Sequence, residues 1–154
     1  MTKIAYEKSI EVYFGKLTKV EAVDEIVSIA GMNRGSAKDY VTGISKLLSG
    51  LVYKRTFNTT AIDYILTQIE TQFDREYYNK ALVSVEQHIE YYQQKGNGAL
   101  ISTQAVLAKH LKNFNADYKN IFPDEIEKDK TYMEGAKASI TVNAYERNIT
   151  ARNL

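Results

Sequence analysis

The position of the only proline most constrains the fold of this chain, because a proline inside a helix interrupts it. That proline is Pro123 of 154 residues, so a long stretch before it is free of this interruption. Within that stretch, apolar residues recur at intervals of three and four, as on the buried face of an amphipathic helix. The chain has twelve tyrosines and no tryptophan. A tyrosine ring can pack against the core while its hydroxyl reaches a polar partner, so we expect many of these tyrosines at the edges of buried helix faces. The sequence therefore predicts an all-α domain with five or six helices.

Composition narrows the remaining possibilities. The chain is 44% hydrophobic and long enough for one sizeable core. Twenty basic residues against nineteen acidic ones leave a formal charge of +1, so nucleic-acid binding would need a local basic patch. The lack of cysteine excludes disulfides and thiolate metal sites. Without a signal peptide or an apolar run of transmembrane length, we expect a cytoplasmic protein with no membrane partner.

Capping residues and glycines divide the first part of the chain into helices. Thr18 followed by Glu21 is a capping-box pattern, and Ser36 with Asp39 is a second one. The predicted helices run from Lys3 to Phe14, Thr18 to Gly31, Ser36 to Ser49, Asn58 or Thr59 to Phe73, Arg75 to Gln94, and Ser102 to Phe114.

Two stretches depart from the helical pattern. Residues 51–57 (LVYKRTF) are rich in β-branched and aromatic residues, which predicts an extended connector or an edge strand. After Phe114 the apolar rhythm fails, so we expect a helical domain at 1–114, a linker at 115–137 and an extended C-terminal arm at 138–154.

The second and third predicted helices have the layout of a helix-turn-helix. A tight turn at Gly31 joins two capped helices, and in that motif the second helix enters the DNA major groove. The residues that would face DNA are Lys38, Thr42 and Lys46 on the outer face and Asn33, Arg34 and Ser36 at the entrance. Lysine and arginine reach phosphate or guanine, and asparagine reads adenine. An ordinary helical hairpin uses the same caps and apolar stripe, and it remains an open alternative.

A second basic spot lies in the predicted connector. Lys54 and Arg55 stand between Tyr53 and Phe57, and cations with aromatic neighbours contact nucleic-acid backbones. Two adjacent cations on an exposed connector are also compatible with plain solvated charges.

Catalytic and metal-binding patterns are missing from the sequence. His88 and His110 are its only histidines, and neither belongs to a metal-ligand spacing. We expect His88 to be a structural residue near the core, and Glu86 and Glu90 to be helix-surface charges without a raised carboxyl pKa. No glycine-rich phosphate loop is present. The sequence therefore predicts no catalytic residue, no metal ligand and no cofactor.

Four blocks of sequence carry a resemblance to a known family. They are residues 32–40 (MNRGSAKDY), 50–58 (GLVYKRTFN), 81–92 with its HIEYY ending, and 142–152 with its ERN and AR elements. In order and rough spacing they resemble the helical N-terminal module of HNH restriction endonucleases of the modification-dependent or phage-restricting type. The resemblance implies a module that engages or selects DNA ahead of a nuclease domain beyond Leu154.

The same resemblance implies partners and contact residues. The partners would be double-stranded DNA and an HNH nuclease domain in cis or in trans, with cleavage left to that domain. The residues implied by position are Asn33, Arg34, Ser36, Lys38, Tyr53, Lys54 and Arg55. The alternative prediction is a protein-interaction or dimerisation module. Its homodimer would form through a tyrosine-rich face made of Tyr77, Tyr78, Tyr91 and Tyr92.

Overall fold

The computed structural model describes the backbone of residues 1–121 and the side chains of residues 1–116. This part of the chain forms six helices and no strand, so the all-α class is confirmed. The helices are α1 (Thr2–Tyr13), α2 (Lys19–Ala30), α3 (Arg34–Ser49), α4 (Thr59–Gln72), α5 (Arg75–Gln94) and α6 (Ile101–Ile121). Among them, none is both long and apolar enough to cross a membrane.

Two central helices organise the packing. α3 packs against α1, α2 and α5, and α5 packs in addition against α4 and α6. The larger core lies around α5 and includes Ile44, Ile65, Leu82 and Phe114. A smaller core joins α1, α2 and α3 through residues such as Ile26. Burial of a side chain of this size contributes about 1.5–3 kcal/mol, so α3, which belongs to both cores, is held firmly in place.

Several predicted helix boundaries are confirmed by the capping contacts. The Glu21 backbone N–H donates to Thr18 Oγ1 at 3.2 Å, and the Thr18 N–H donates to Glu21 Oε2 at 2.8 Å, which completes the capping box. Asn58 caps α4 by accepting from the Ala61 N–H. Gly31 ends α2 with a φ of 67°, a left-handed conformation that glycine adopts without strain.

Two predicted helix starts are wrong. α3 begins at Arg34 rather than at Ser36, because the Asn33 side chain accepts from the Ser36 backbone N–H at 2.8 Å and acts as the cap. α6 begins at Ile101, so Ser102 lies inside the helix. The Leu100 carbonyl accepts from the Gln104 N–H and begins the helical pattern before Ser102.

The predicted end of the last helix is also wrong. α6 continues past Phe114 to Ile121, so the first residues of the expected linker are helical. A helix can extend beyond the core without an apolar stripe, which explains why the loss of apolar rhythm did not mark its end. The rest of the predicted linker and the extended arm at 138–154 lie outside the described residues.

Residues 51–57 form a connector without regular secondary structure, as one of the two sequence interpretations expected. The connector returns along α3, and the ring of Phe57 lies against Gly43 in the middle of that helix. A Cβ at residue 43 would lie 2.5 Å from Phe57 Cζ, closer than real contacts allow. Phe57 also meets the Tyr40 ring edge-on at a centroid distance of 5.0 Å. Gly43 is therefore the place where the connector fits closely against α3.

We expect Gly43→Ala to destabilise the protein, although alanine is the better helix former. Gly35→Ala in the same helix is the matched control, since its Cβ would meet only Asn33 Oδ1 at 3.4 Å. Urea unfolding should show the residue-43 variant to be less stable than the residue-35 variant by about 1–3 kcal/mol, the usual penalty for overpacking. Equal stability of the two variants would contradict a tight contact between Gly43 and Phe57.

Candidate nucleic-acid interface

α3 and the connector enclose a cleft of about 410 Å³, hereafter the basic cleft. Its lining consists of Lys38, Asp39, Thr42, Gly43 and Lys46 from α3 and of Val52, Tyr53, Lys54 and Arg55 from the connector. Six of the nine residues predicted to contact DNA belong to this lining. The structure thus brings together two basic spots that are separate in the sequence. The cleft volume lies within the range of about 300–1,000 Å³ that is usual for ligand sites.

The basic cleft carries a local positive charge. Lys38, Lys46, Lys54 and Arg55 contribute four cations to the lining, against the single carboxylate of Asp39. None of the ion pairs found among the described side chains involves these four cations. A nearly neutral chain can therefore present a strongly positive surface at one place, which is the electrostatic requirement for binding a polyanion.

An aromatic ring lies next to the cleft. Lys54 Nζ is 5.9 Å from the ring centroid of Tyr91, and Lys95 Nζ is 5.7 Å from the same centroid. Tyr91 is half-buried near the end of α5 and meets the Tyr92 ring edge-on. Neither Tyr91 nor Lys95 was predicted to contact DNA, and Tyr91 was expected only in the tyrosine-rich dimer face. Their spacing of four residues, which places both on one helix face, was the available signal.

His88 fixes the connector on both sides of Lys54 and Arg55. Its Nδ1 lies 2.5 Å from the Tyr53 carbonyl oxygen, and its Nε2 lies 3.0 Å from Thr56 Oγ1. Because a carbonyl only accepts, Nδ1 carries the proton and Nε2 accepts from the Thr56 hydroxyl. Burial lowers the pKa of His88 and outweighs the opposite effect of the Tyr53 hydrogen bond, which keeps the ring neutral. His88 is structural, as expected.

Two further contacts strengthen this attachment. The Tyr53 ring stacks on the His88 imidazole at a centroid distance of 4.0 Å. One turn earlier in α5, Ser84 Oγ donates to the Leu51 carbonyl at 2.6 Å. α5 therefore holds the connector at Leu51, Tyr53 and Thr56, and the residues between the last two carry the exposed charges.

The remaining predicted site residues have structural roles. Asn33 uses its side chain to cap α3 by accepting from the Ser36 N–H. Arg34 forms an ion pair with Asp24 of α2. Neither these residues nor Ser36 lines the basic cleft. Tyr53 does line it but is only 3% exposed, and burial raises the pKa of its hydroxyl well above the ordinary value. Its main contribution is therefore to the wall of the cleft.

A second polar network lies away from the cleft. His110 Nε2 is 2.7 Å from Asp63 Oδ1, and its Nδ1 is 2.6 Å from the Tyr78 hydroxyl. Lys109 Nζ is 2.8 Å from Asp63 Oδ2, and this hydrogen bond is the largest cause that lowers the pKa of that carboxyl. The Tyr78 end of the network is buried and inaccessible to a substrate. The network joins α4, α5 and α6 and has the character of a structural link.

The prediction for Glu86 is wrong. It lies on α5 with only 7% of its surface exposed, and this burial, together with the nearby charge of Glu90, raises the pKa of Glu86 to about 7. The sequence pattern suggested a surface position for Glu86, but α3, α4 and α6 pack around α5 and cover several of its sides. Across the described residues, no group of three or more His, Cys, Asp and Glu side chains is arranged to hold a metal ion.

No protein-family model, curated protein or solved structure matches this chain. The basic cleft, with its four cations, is therefore the feature of the described chain that bears most directly on function.

Glu86→Gln should stabilise the protein at pH 8 and leave its stability unchanged at pH 4. The folded-state pKa of Glu86 is about 7 against an ordinary 4.5, so ionisation weakens the fold as pH rises through that interval. A rise of this size corresponds to at most about 3 kcal/mol. Urea unfolding at both pH values measures the effect.

Glu90→Gln, an exposed change on the same helix, is the control for the Glu86 variant. It should stabilise the protein at pH 8 less than Glu86→Gln does, because it removes only the smaller cause of the raised Glu86 pKa, and it should have little effect at pH 4. Equal stability of wild type and Glu86→Gln at pH 8 would contradict a buried Glu86 with a raised pKa.

Proposed function

We propose that this chain is a DNA-binding module that holds the phosphate backbone in the basic cleft. The observation that supports this function is the convergence of Lys38, Lys46, Lys54 and Arg55 from two elements of the fold. Phosphates would neutralise these cations and release the counterions condensed on DNA, which is a major source of affinity in such complexes.

The way the connector is held supports the same function. Lys54 and Arg55 are exposed, but His88 ties the residues on either side of them to α5, through the Tyr53 carbonyl and the Thr56 hydroxyl. A binding loop that is already ordered loses little conformational freedom on association, so more of the contact energy appears as affinity. If Lys54 and Arg55 were only solvated surface charges, the hydrogen bonds that hold the connector to His88 would not be needed to position them.

The order and spacing of the four sequence blocks support a further part of the proposal. In a longer protein or a complex, the module would target an HNH restriction nuclease to DNA, with the nuclease domain present in cis or in trans. Cleavage would then belong to that domain, and the chain described here would contribute binding.

We expect the purified chain to bind a fluorescent DNA that contains both a duplex and a single-stranded tail. Four phosphate contacts should give a plot of log affinity against log salt with a slope of about −3, equivalent to a loss of about 100-fold between 50 and 200 mM salt. Replacing Lys38, Lys46, Lys54 and Arg55 together by Glu should abolish most of the binding and flatten the slope. Fluorescence anisotropy measures both quantities.

The matched control replaces four exposed lysines outside the cleft by Glu, namely Lys3, Lys16, Lys19 and Lys112. It changes the net charge equally and should retain most of the affinity. Circular dichroism verifies that both variants remain helical. Equal losses in the two variants, or a wild type that does not bind at low salt, would overturn the assignment of the cleft.

Self-association is a second candidate function, and an exposed aromatic cluster favours it. Tyr78 is buried, so the four tyrosines predicted to share one face do not form one surface. Tyr77 instead joins Tyr13, Phe14 and Phe73, with Phe14 47% exposed and stacked on Phe73. This cluster lies about 21 Å along α5 from Tyr91. Exposed aromatic groups of this kind are enriched at protein interfaces.

If this cluster forms a homodimer, Phe14→Glu should weaken dimerisation at least tenfold, since it places a charge in an apolar contact. Ile29→Glu is the control, because Ile29 is also exposed but belongs to α2. Sedimentation velocity at several protein concentrations measures the effect. A wild-type chain that stays monomeric at all concentrations would exclude this candidate.

A further inference from the structure

We propose that the basic cleft holds a single strand of nucleic acid and does not enter the major groove of a duplex. This inference rests on the proposed DNA-binding function and specifies the form of DNA that is bound. Cations occupy both walls of a concave site, with Lys38 and Lys46 on α3 and Lys54 and Arg55 on the connector. A helix that reads a duplex presents its contacts on a protruding surface instead.

The connector obstructs the approach of a duplex to the side of α3. The major groove is about 12 Å wide, and a helix with its side chains already measures about 10–12 Å across. Here the connector runs beside α3, with Phe57 in contact with Gly43 and Val52 to Arg55 forming the second wall of the cleft. A helix with a second chain segment packed along it is too wide for the groove.

The end of α3 offers no better route into a duplex. A recognition helix usually contacts base edges with residues near its N-terminus. At that end of α3, the Asn33 side chain accepts from the Ser36 N–H, and Arg34 forms an ion pair with Asp24. A base contact by either side chain would therefore have to replace a contact that the residue already makes within the protein.

A single strand satisfies the same geometry. Its phosphates are accessible from several sides, so cations on both walls of the cleft can reach one backbone. Tyr91, beside Lys54, provides a ring on which an unpaired base can stack once that exposed lysine turns towards phosphate. Asp39 and Thr42 line the cleft between the cations and supply hydrogen-bonding groups for base edges.

The test uses the full chain and three fluorescent probes of one mixed sequence without self-complementarity. The probes are single-stranded DNA of about 20 nucleotides, its blunt duplex and single-stranded RNA of the same length, which exceeds the usual site size of about 4–16 nucleotides. At near-physiological salt, we expect single-stranded DNA to bind at least about tenfold more tightly than the duplex. Anisotropy titrations measure all three affinities.

Substitution of the aromatic ring tests the binding mode. Tyr91→Ala should weaken single-strand binding about tenfold through the loss of base stacking, and Tyr91→Phe should retain it because the ring remains. Neither change should alter the weaker duplex binding. Tyr77→Ala, on the same helix but in the distant aromatic cluster, should leave single-strand binding unchanged.

The outcomes separate this inference from the proposed function. Duplex binding as tight as single-strand binding, and still sensitive to the four cleft cations, would overturn the inference and leave the DNA-binding function intact. Binding of RNA but not of DNA would support a single-strand site and overturn the DNA-binding function. Failure of all three probes to bind at low salt would overturn both.

Discussion

The hydrogen bonds of the buried His88 ring are the interaction on which the geometry of the basic cleft depends. A connector without regular secondary structure must find partners for its polar groups outside itself, and a buried group left without one costs about 1–3 kcal/mol. His88 supplies a donor to the Tyr53 carbonyl and an acceptor for the Thr56 hydroxyl. The Tyr53 bond requires a proton on Nδ1, and Nε2 can accept from the Thr56 hydroxyl only while the ring is neutral. The position of Lys54 and Arg55 therefore follows from the tautomer of a side chain in the interior.

α5 contains two buried ionisable groups with opposite pH dependence. Burial lowers the pKa of His88 below its ordinary 6.5. As pH falls below about 6.5, the histidine therefore becomes protonated in the unfolded state before it does in the folded state, and the free energy of unfolding decreases. Burial raises the pKa of Glu86 to about 7, so its contribution becomes unfavourable as pH rises towards that value. Between about pH 4.5 and 6.5 the two effects oppose each other, because a rise in pH relieves the penalty at His88 and increases the penalty at Glu86.

Local signals predicted the helices well, and tertiary contacts explain the misses. Both ends of α5 match the predicted Arg75 and Gln94, because a long apolar periodicity was bounded by clear breaks. The start of α3 was missed because Asn33 and Ser36 both have capping side chains, and only the hydrogen bond between them identifies the cap. Tyr77 and Tyr78 are neighbours about 100° apart around the helix. Tyr78 is buried in the interior and Tyr77 is only partly buried at its edge, a distinction that tyrosine content alone does not make.

The candidate site shows the same division between local signal and tertiary arrangement. Its cationic residues were identifiable from two separate segments, but their meeting in one cleft depends on the return of the connector along α3. A glycine inside a helix is unfavourable by about 1 kcal/mol relative to alanine, so its presence indicates a close approach by another group. Gly43, which follows the predicted outer-face residue Thr42, was the sequence signal for the close approach of the connector to α3. In a helix-turn-helix, no other chain segment covers the outer face of the second helix, so that this face can approach DNA. On α3, Phe57 of the connector packs against Gly43, and this side of the helix forms one wall of the basic cleft.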